Sequence, residues 1–102
     1  MYIRSFLQDK EITITLSGEI DRHAMKTIGE KIDAYLPRVC VLDFRDVTFM
    51  DSSGIAIVVS GVRRMRQLEG KLVISHVQPQ PMRVFQAAGI GQIAEIRGGE
   101  QE

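Results

Sequence analysis

The chain has 102 residues, 44% of them apolar, with thirteen basic and thirteen acidic side chains and no net charge. That length holds one modest domain rather than two. The balanced charge and the absence of Trp argue against a nucleic-acid surface or an anionic-membrane binder, both of which need a basic excess.

No apolar run approaches membrane-spanning length. The first residues carry no apolar stretch followed by a small-residue cleavage site. The single cysteine, Cys40, stands inside an apolar run, as a buried thiol in a reducing compartment would. A cytoplasmic protein is the expectation.

Tyr2 to Leu7 reads as a short strand, and Gln8 to Glu11 as a polar turn. Ile12, Ile14 and Leu16 then alternate with Thr13, Thr15 and Ser17, a strand period rich in β-branched residues. Together these segments predict an opening hairpin. Asp21 is placed to cap a helix in which Met25, Ile28, Ile32 and Tyr35-Leu36 recur at helical spacing as its expected core face, and Pro37 is expected to stop it.

Val39 to Phe44 is a nearly continuous apolar run, as expected of a central strand buried on both faces. A second helix follows, with a predicted core face of Ile55, Val58, Val59, Val62, Met65 and Leu68. Arg63, Arg64 and Arg66 lie toward its negative end, and Gly70 is expected as the residue after its cap. Leu72 to Ile74 predicts another strand. Pro79 and Pro81 open a short third helix ended by Gly89, and Ile93 to Ile96 predicts a last strand. Residues 98–102 carry no apolar side chain and are expected to form a mobile tail after a single domain over 1–97. Strands linked by helices imply right-handed crossovers. The predicted class is α/β, with a mostly parallel sheet of four to five strands.

The chemistry concentrates where Asp51-Ser52-Ser53-Gly54 delivers two hydroxyls to the start of the second helix. Three readings apply. A serine can simply cap the helix, which is worth about 1 kcal/mol. Alternatively, the turn is a docking surface. With the core stripe centred between Val58 and Val62, Ser53, Ala56, Ile57 and Ser60 fall on the opposite side. Ile57 is then an exposed apolar side chain beside a hydroxyl, and Gly54 and Ala56 offer a partner little obstruction. The third reading is a small serine hydrolase with Ser53 as nucleophile, His23 as base and Asp51 as orienter. It lacks a G-x-S-x-G elbow and any mark of an oxyanion hole.

Other chemistry finds little support. No phosphate-cradling glycine motif or other cofactor motif occurs. No Cys/His set suits zinc. Asp43, Asp46 and Asp51 read better as turn and cap residues than as metal ligands.

The run Phe49-Met50-Asp51-Ser52-Ser53-Gly54 after Val41-Leu42-Asp43-Phe44 strongly resembles the STAS family, specifically its anti-sigma factor antagonists of the sporulation type. Gly18-Glu19-Ile20-Asp21, Gly70-Lys71-Leu72 and the segment from Arg83 to Ile90 resemble its other elements, so the likeness spans about residues 10 to 96. The resemblance implies a STAS-like sheet with helices packed mainly on one side. It also implies a regulatory cycle. The unmodified protein binds an anti-sigma factor that is an ATP-dependent serine kinase, and so frees the sigma factor. Phosphorylation of Ser53 ends that binding, and a PP2C-type phosphatase restores it.

Carried over by position, the phosphoacceptor is Ser53. Asp21, Asp51, Ser52, Gly54, Ala56 and Ile57 join it in the partner-binding surface. The resemblance implies a kinase substrate and not an enzyme, with no cofactor and no metal. A STAS scaffold in a larger signalling assembly is the alternative within the same fold. Relative to the family pattern, Ala56 replaces a frequent glycine, and the further C-terminal helix usual in sporulation-type members has no counterpart.

Overall fold

Among the described residues, helical and strand periodicities resolve into five strands and three α-helices. The computed structural model describes residues 2–99, with Arg22 described by its backbone alone. The elements are β1 (Tyr2–Gln8), β2 (Glu11–Ser17), α1 (Arg22–Tyr35), β3 (Val39–Asp46), α2 (Ser52–Gln67), β4 (Lys71–Val77), α3 (Pro79–Ala87) and β5 (Glu95–Gly98). A single 3-10 turn, Ile90–Gln92, separates α3 from β5. The hairpin between β1 and β2 turns at Asp9, whose φ of 58° is one that Asp tolerates better than most residues.

The sheet order is β1-β2-β3-β4-β5, with β1 antiparallel to β2 and every later pair parallel. Strands added in chain order by crossovers of one hand place their helices on one face. Side chains confirm it. Ile12, Cys40 and Leu72 form one row across the sheet, and Ile14, Leu42 and Ile74 the next. All six pack with Ile28 and Ile32 of α1, Val58 and Met65 of α2, and Phe85 of α3 in one core. Phe85 meets Phe44 edge to face at 5.4 Å. Thr13, Val41 and Val73 form a row on the opposite, helix-free face. There the buried carboxylate of Asp43 receives the Arg45 amide at 2.9 Å and the Arg45 guanidinium at 3.0 Å.

Several boundaries differ from those the sequence predicts. Helix α1 does stop before Pro37, with Leu36 left-handed and its N–H on the Ile32 carbonyl, but that closing turn carries Tyr35 and Leu36 out to solvent instead of onto the core face. After α2 the left-handed residue is Glu69, with φ of 58°, and not Gly70. Gly70 is required for a different reason: a Cβ there would strike the Arg38 carbonyl and the Met65 side chain. Ile93 closes the 3-10 turn instead of opening a strand, and Gly98, expected in the tail, is the last residue of β5. Gly99 still bonds the Val77 carbonyl at 3.1 Å, and residues 100–102 lie outside the described residues.

The largest correction concerns the rotation of α2. Ile57 is 1% exposed and belongs to the core, and Gly54 and Gly61 are buried on the same stripe. The buried set is Gly54, Ile57, Val58, Gly61, Val62 and Met65, while Ile55, Val59 and Leu68 lie at its margins. Glycines carry no hydrophobic signal, yet they mark the closest approach of the helix to its neighbours. A Cβ on Gly61 would stand 2.7 Å from Leu72 Cδ1 of β4. The helix therefore turns its glycine line inward and takes Ile57 with it. Beside α2, Gly29 of α1 lets Arg64 lie across that helix and bond Asp33 at 2.6 Å.

Candidate functional site: the serine turn

Parallel β2 and β3 are neighbours, so the helices that follow them begin at the same end of the sheet. Each start is capped by an aspartate. Asp21 Oδ1 accepts the His23 amide at 2.9 Å, and Asp51 Oδ1 accepts the Ser53 amide at 2.9 Å. Asp51 is thus the cap of α2, and the reading of Ser52 or Ser53 as capping hydroxyls does not hold. Both serines stand inside the first turn, and their hydroxyls are not used to close the helix.

The Ser53 hydroxyl lies 2.6 Å from the same Asp51 oxygen and 3.4 Å from the Ile20 carbonyl. A hydroxyl has one proton to donate, and the short charge-assisted contact takes it. That bond, with the Ser53 amide, holds the exposed Asp51 carboxyl below the usual carboxylate range. The Ile20 carbonyl, which does not receive that proton, still places the loop carrying Asp21 beside the helix start.

The approach from β3 is fixed at two points. Val47 and Met50 are buried. Gln80, from α3, accepts the Met50 amide at 2.9 Å and donates to the Met50 carbonyl at 3.1 Å. Between these anchors Phe49 is left 68% exposed, next to the serine turn.

A depression of about 520 Å³ opens beside Ser53, lined by Met25, Asp51, Ser52, Ser53, Ala56 and Ile57. Through Met25 and Ala56 it continues into a second hollow of about 510 Å³ that reaches Arg63 and Arg64. The two form one trough between α1 and α2, acidic at the serine end and basic at the other.

Of the residues singled out by sequence, Asp51, Ser52, Ser53 and Ala56 come together at this trough. Asp21 stands on the adjoining loop. Ile57 contributes only its floor. Gly54 faces inward, where a Cβ would meet the Met50 sulfur, so it serves the packing of Met50 rather than the approach of a partner. The polar neighbours of the Ser53 hydroxyl are Asp51 and Ile20, and His23 meets Asp21 through its backbone amide. The serine–histidine relay is therefore not assembled. Among the described residues no group of three His, Cys, Asp or Glu side chains could hold a metal ion. No helix among the described residues is long and apolar enough to cross a membrane.

Sequence reasoning missed Met25 as a trough wall, Gln80 as a brace and Phe49 as an exposed aromatic. Only Phe49 left a signal, a bulky apolar residue in a polar turn.

The sequence pattern of the family described as Mlab, STAS domain matches residues 4–97. The chain belongs to the STAS domain family. An anti-sigma-B factor antagonist of Listeria monocytogenes is 30% identical over 94 residues, covering 89% of this chain and 82% of the relative. An anti-sigma F factor antagonist of Lysinibacillus sphaericus is 31% identical over 84 residues, covering 78% and 72%. The anti-sigma factor antagonist SpoIIAA in its unphosphorylated form superposes with a TM-score of 0.78 at 26% identity, over 93% of this STAS domain and 87% of that chain. Its phosphorylated form gives 0.72 at the same identity.

Proposed function

We propose that this STAS domain is an anti-sigma factor antagonist whose binding is switched by phosphate on Ser53. The unmodified chain binds an anti-sigma factor in the cytoplasm and so releases the sigma factor. The anti-sigma factor is itself the ATP-dependent serine kinase that modifies Ser53, and a PP2C-type phosphatase removes the phosphate. In this reading the chain is a substrate and a binding module, not an enzyme.

The observation that carries the proposal is the Ser53 hydroxyl held at the start of α2 on the rim of an open trough. Relatives named as anti-sigma factor antagonists support the partner class. SpoIIAA, described in phosphorylated and unphosphorylated forms, supports the switch. The proposed contact surface is Asp21, Asp51, Ser52, Ser53 and Ala56, with exposed Phe49 as an apolar anchor beside them.

Phosphorylation adds about −1.5 to −2 charges and a bulky group. The start of α2 is a favourable place for an anion, so the fold survives the change. Asp51, however, is a carboxylate already bonded to the hydroxyl that is modified. The phosphate loses that bond and repels it. Binding ends through local repulsion and a blocked approach, without refolding.

Incubation with ATP and the cognate anti-sigma factor tests the acceptor. One phosphate is expected on the natural chain and on Ser52→Ala, and none on Ser53→Ala. Phosphate retained by Ser53→Ala overturns the assignment. Backbone chemical shifts of the two forms test the mechanism, and widespread changes far from the turn would refute it.

A further inference from the structure

Seven large apolar side chains are exposed among the described residues, and three of them, Tyr2, Phe6 and Leu7, stand on β1. β1 is an edge of the sheet, so half of its backbone donors and acceptors face away from β2. It pairs with β2 in unbroken register from Tyr2↔Ser17 to Gln8↔Glu11, and no bulge turns it aside. It has no proline, and Arg4 is its one charged residue.

The opposite edge is guarded. β5 has four residues, its register shifts between Ile74 and Val77, and Glu95 is paired with Arg97 and Lys71. These are the devices by which folds block edge-to-edge association, and β1 lacks them.

We propose that β1 is an interaction surface for a second copy of this chain, pairing antiparallel with its counterpart about a twofold axis at Ser5. Such an interface is self-complementary by symmetry. Residues directly opposite must share a face of the sheet, which leaves few registers. An axis at Arg4 sets two guanidinium groups against each other. An axis at Phe6 leaves Tyr2 and Ile3 unpaired.

An axis at Ser5 pairs all seven residues of the strand. Arg4 then lies opposite Phe6 twice on the helix-free face, cation beside ring, and Ile3 opposite Leu7 twice on the other. Lys31 of α1, which reaches the Ser5 hydroxyl at 3.1 Å, is the cation near the axis, and its long stem can turn the ammonium to water. β2 separates this edge from β3 and the serine turn, so pairing leaves both copies of Ser53 accessible. The inference does not depend on the function proposed for that site.

Light scattering on the whole chain over a concentration series tests association, with a mass approaching twice that of one chain expected as concentration rises. Phe6→Lys and Leu7→Lys, both at exposed positions, are expected to weaken the dimer at least tenfold while circular dichroism stays unchanged. Ser5→Cys tests the register, because cysteines facing each other at the axis should form an interchain disulfide on mild oxidation while the buried Cys40 does not. A chain that stays monomeric at its highest soluble concentration overturns the proposal. So does a dimer indifferent to both lysine variants, or one that Ser5→Cys fails to cross-link.

Discussion

One oxygen of Asp51 receives both the amide and the hydroxyl of Ser53, at 2.9 and 2.6 Å. The residue that closes α2 is therefore also the residue that orients the proposed phosphoacceptor. Helix start and switch share a single carboxylate.

Asp51→Ala removes both contacts. It is expected to lower the urea midpoint and to slow phosphorylation of Ser53. Asp51→Asn keeps an acceptor for the amide, so its midpoint should stay close to that of the natural chain. The carboxyl sits below its ordinary range when folded, held there first by the Ser53 hydroxyl and then by the Ser53 amide. As pH falls, the unfolded chain takes the proton first. The Asp51 contribution is thus complete above about pH 4 and fades as pH drops through the lowered folded value. Urea midpoints at neutral and acid pH measure this, and Asp51→Asn should flatten part of the dependence.

Ile57 and its neighbour Ala56 separate stability from binding. Ile57 is buried, so Ile57→Ala should cost about 2–5 kcal/mol, read as a loss of urea or thermal stability. Ala56 is exposed in the trough. Ala56→Asp should leave stability within about 0.5 kcal/mol while weakening capture of the anti-sigma factor. The reverse pattern would mean that Ile57, not Ala56, faces the partner.

Burial pushes the Cys40 thiol up to about 12. The native chain should resist alkylation at pH 8 and react fully in urea, as mass spectrometry of intact protein would show. The folded thiol stays protonated where the unfolded one ionises. Stability should therefore fall as pH rises above about 9, and Cys40→Ala should remove that part of the fall.

The sheet was legible because its strands announce themselves by composition: Ile12, Ile14 and Leu16 alternate, and Val39 to Phe44 runs nearly unbroken. The serine turn was legible because Asp51-Ser52-Ser53-Gly54 follows such a strand. The rotation of α2 was not, because Gly54 and Gly61 direct the packing by lacking atoms, and a pattern of apolar side chains cannot register that. Gln80 was hidden for another reason. Its two bonds to Met50 join residues thirty positions apart, and nothing local to either residue signals them. Glu69 in place of Gly70 as the left-handed residue shows the limit of cap rules, since backbone crowding against Arg38 had already claimed the glycine.

A phosphate on Ser53 stands inside the proposed contact surface, where an unmatched charge set against the partner costs several kcal/mol, so phosphorylation should weaken binding about a hundredfold or more. The most direct measurement is a calorimetric titration of the anti-sigma factor with the unmodified chain and with the chain phosphorylated on Ser53. Tight binding of the first and loss of binding by the second, with both forms equally folded, is the expected result. Equal affinity for the two forms would contradict the account.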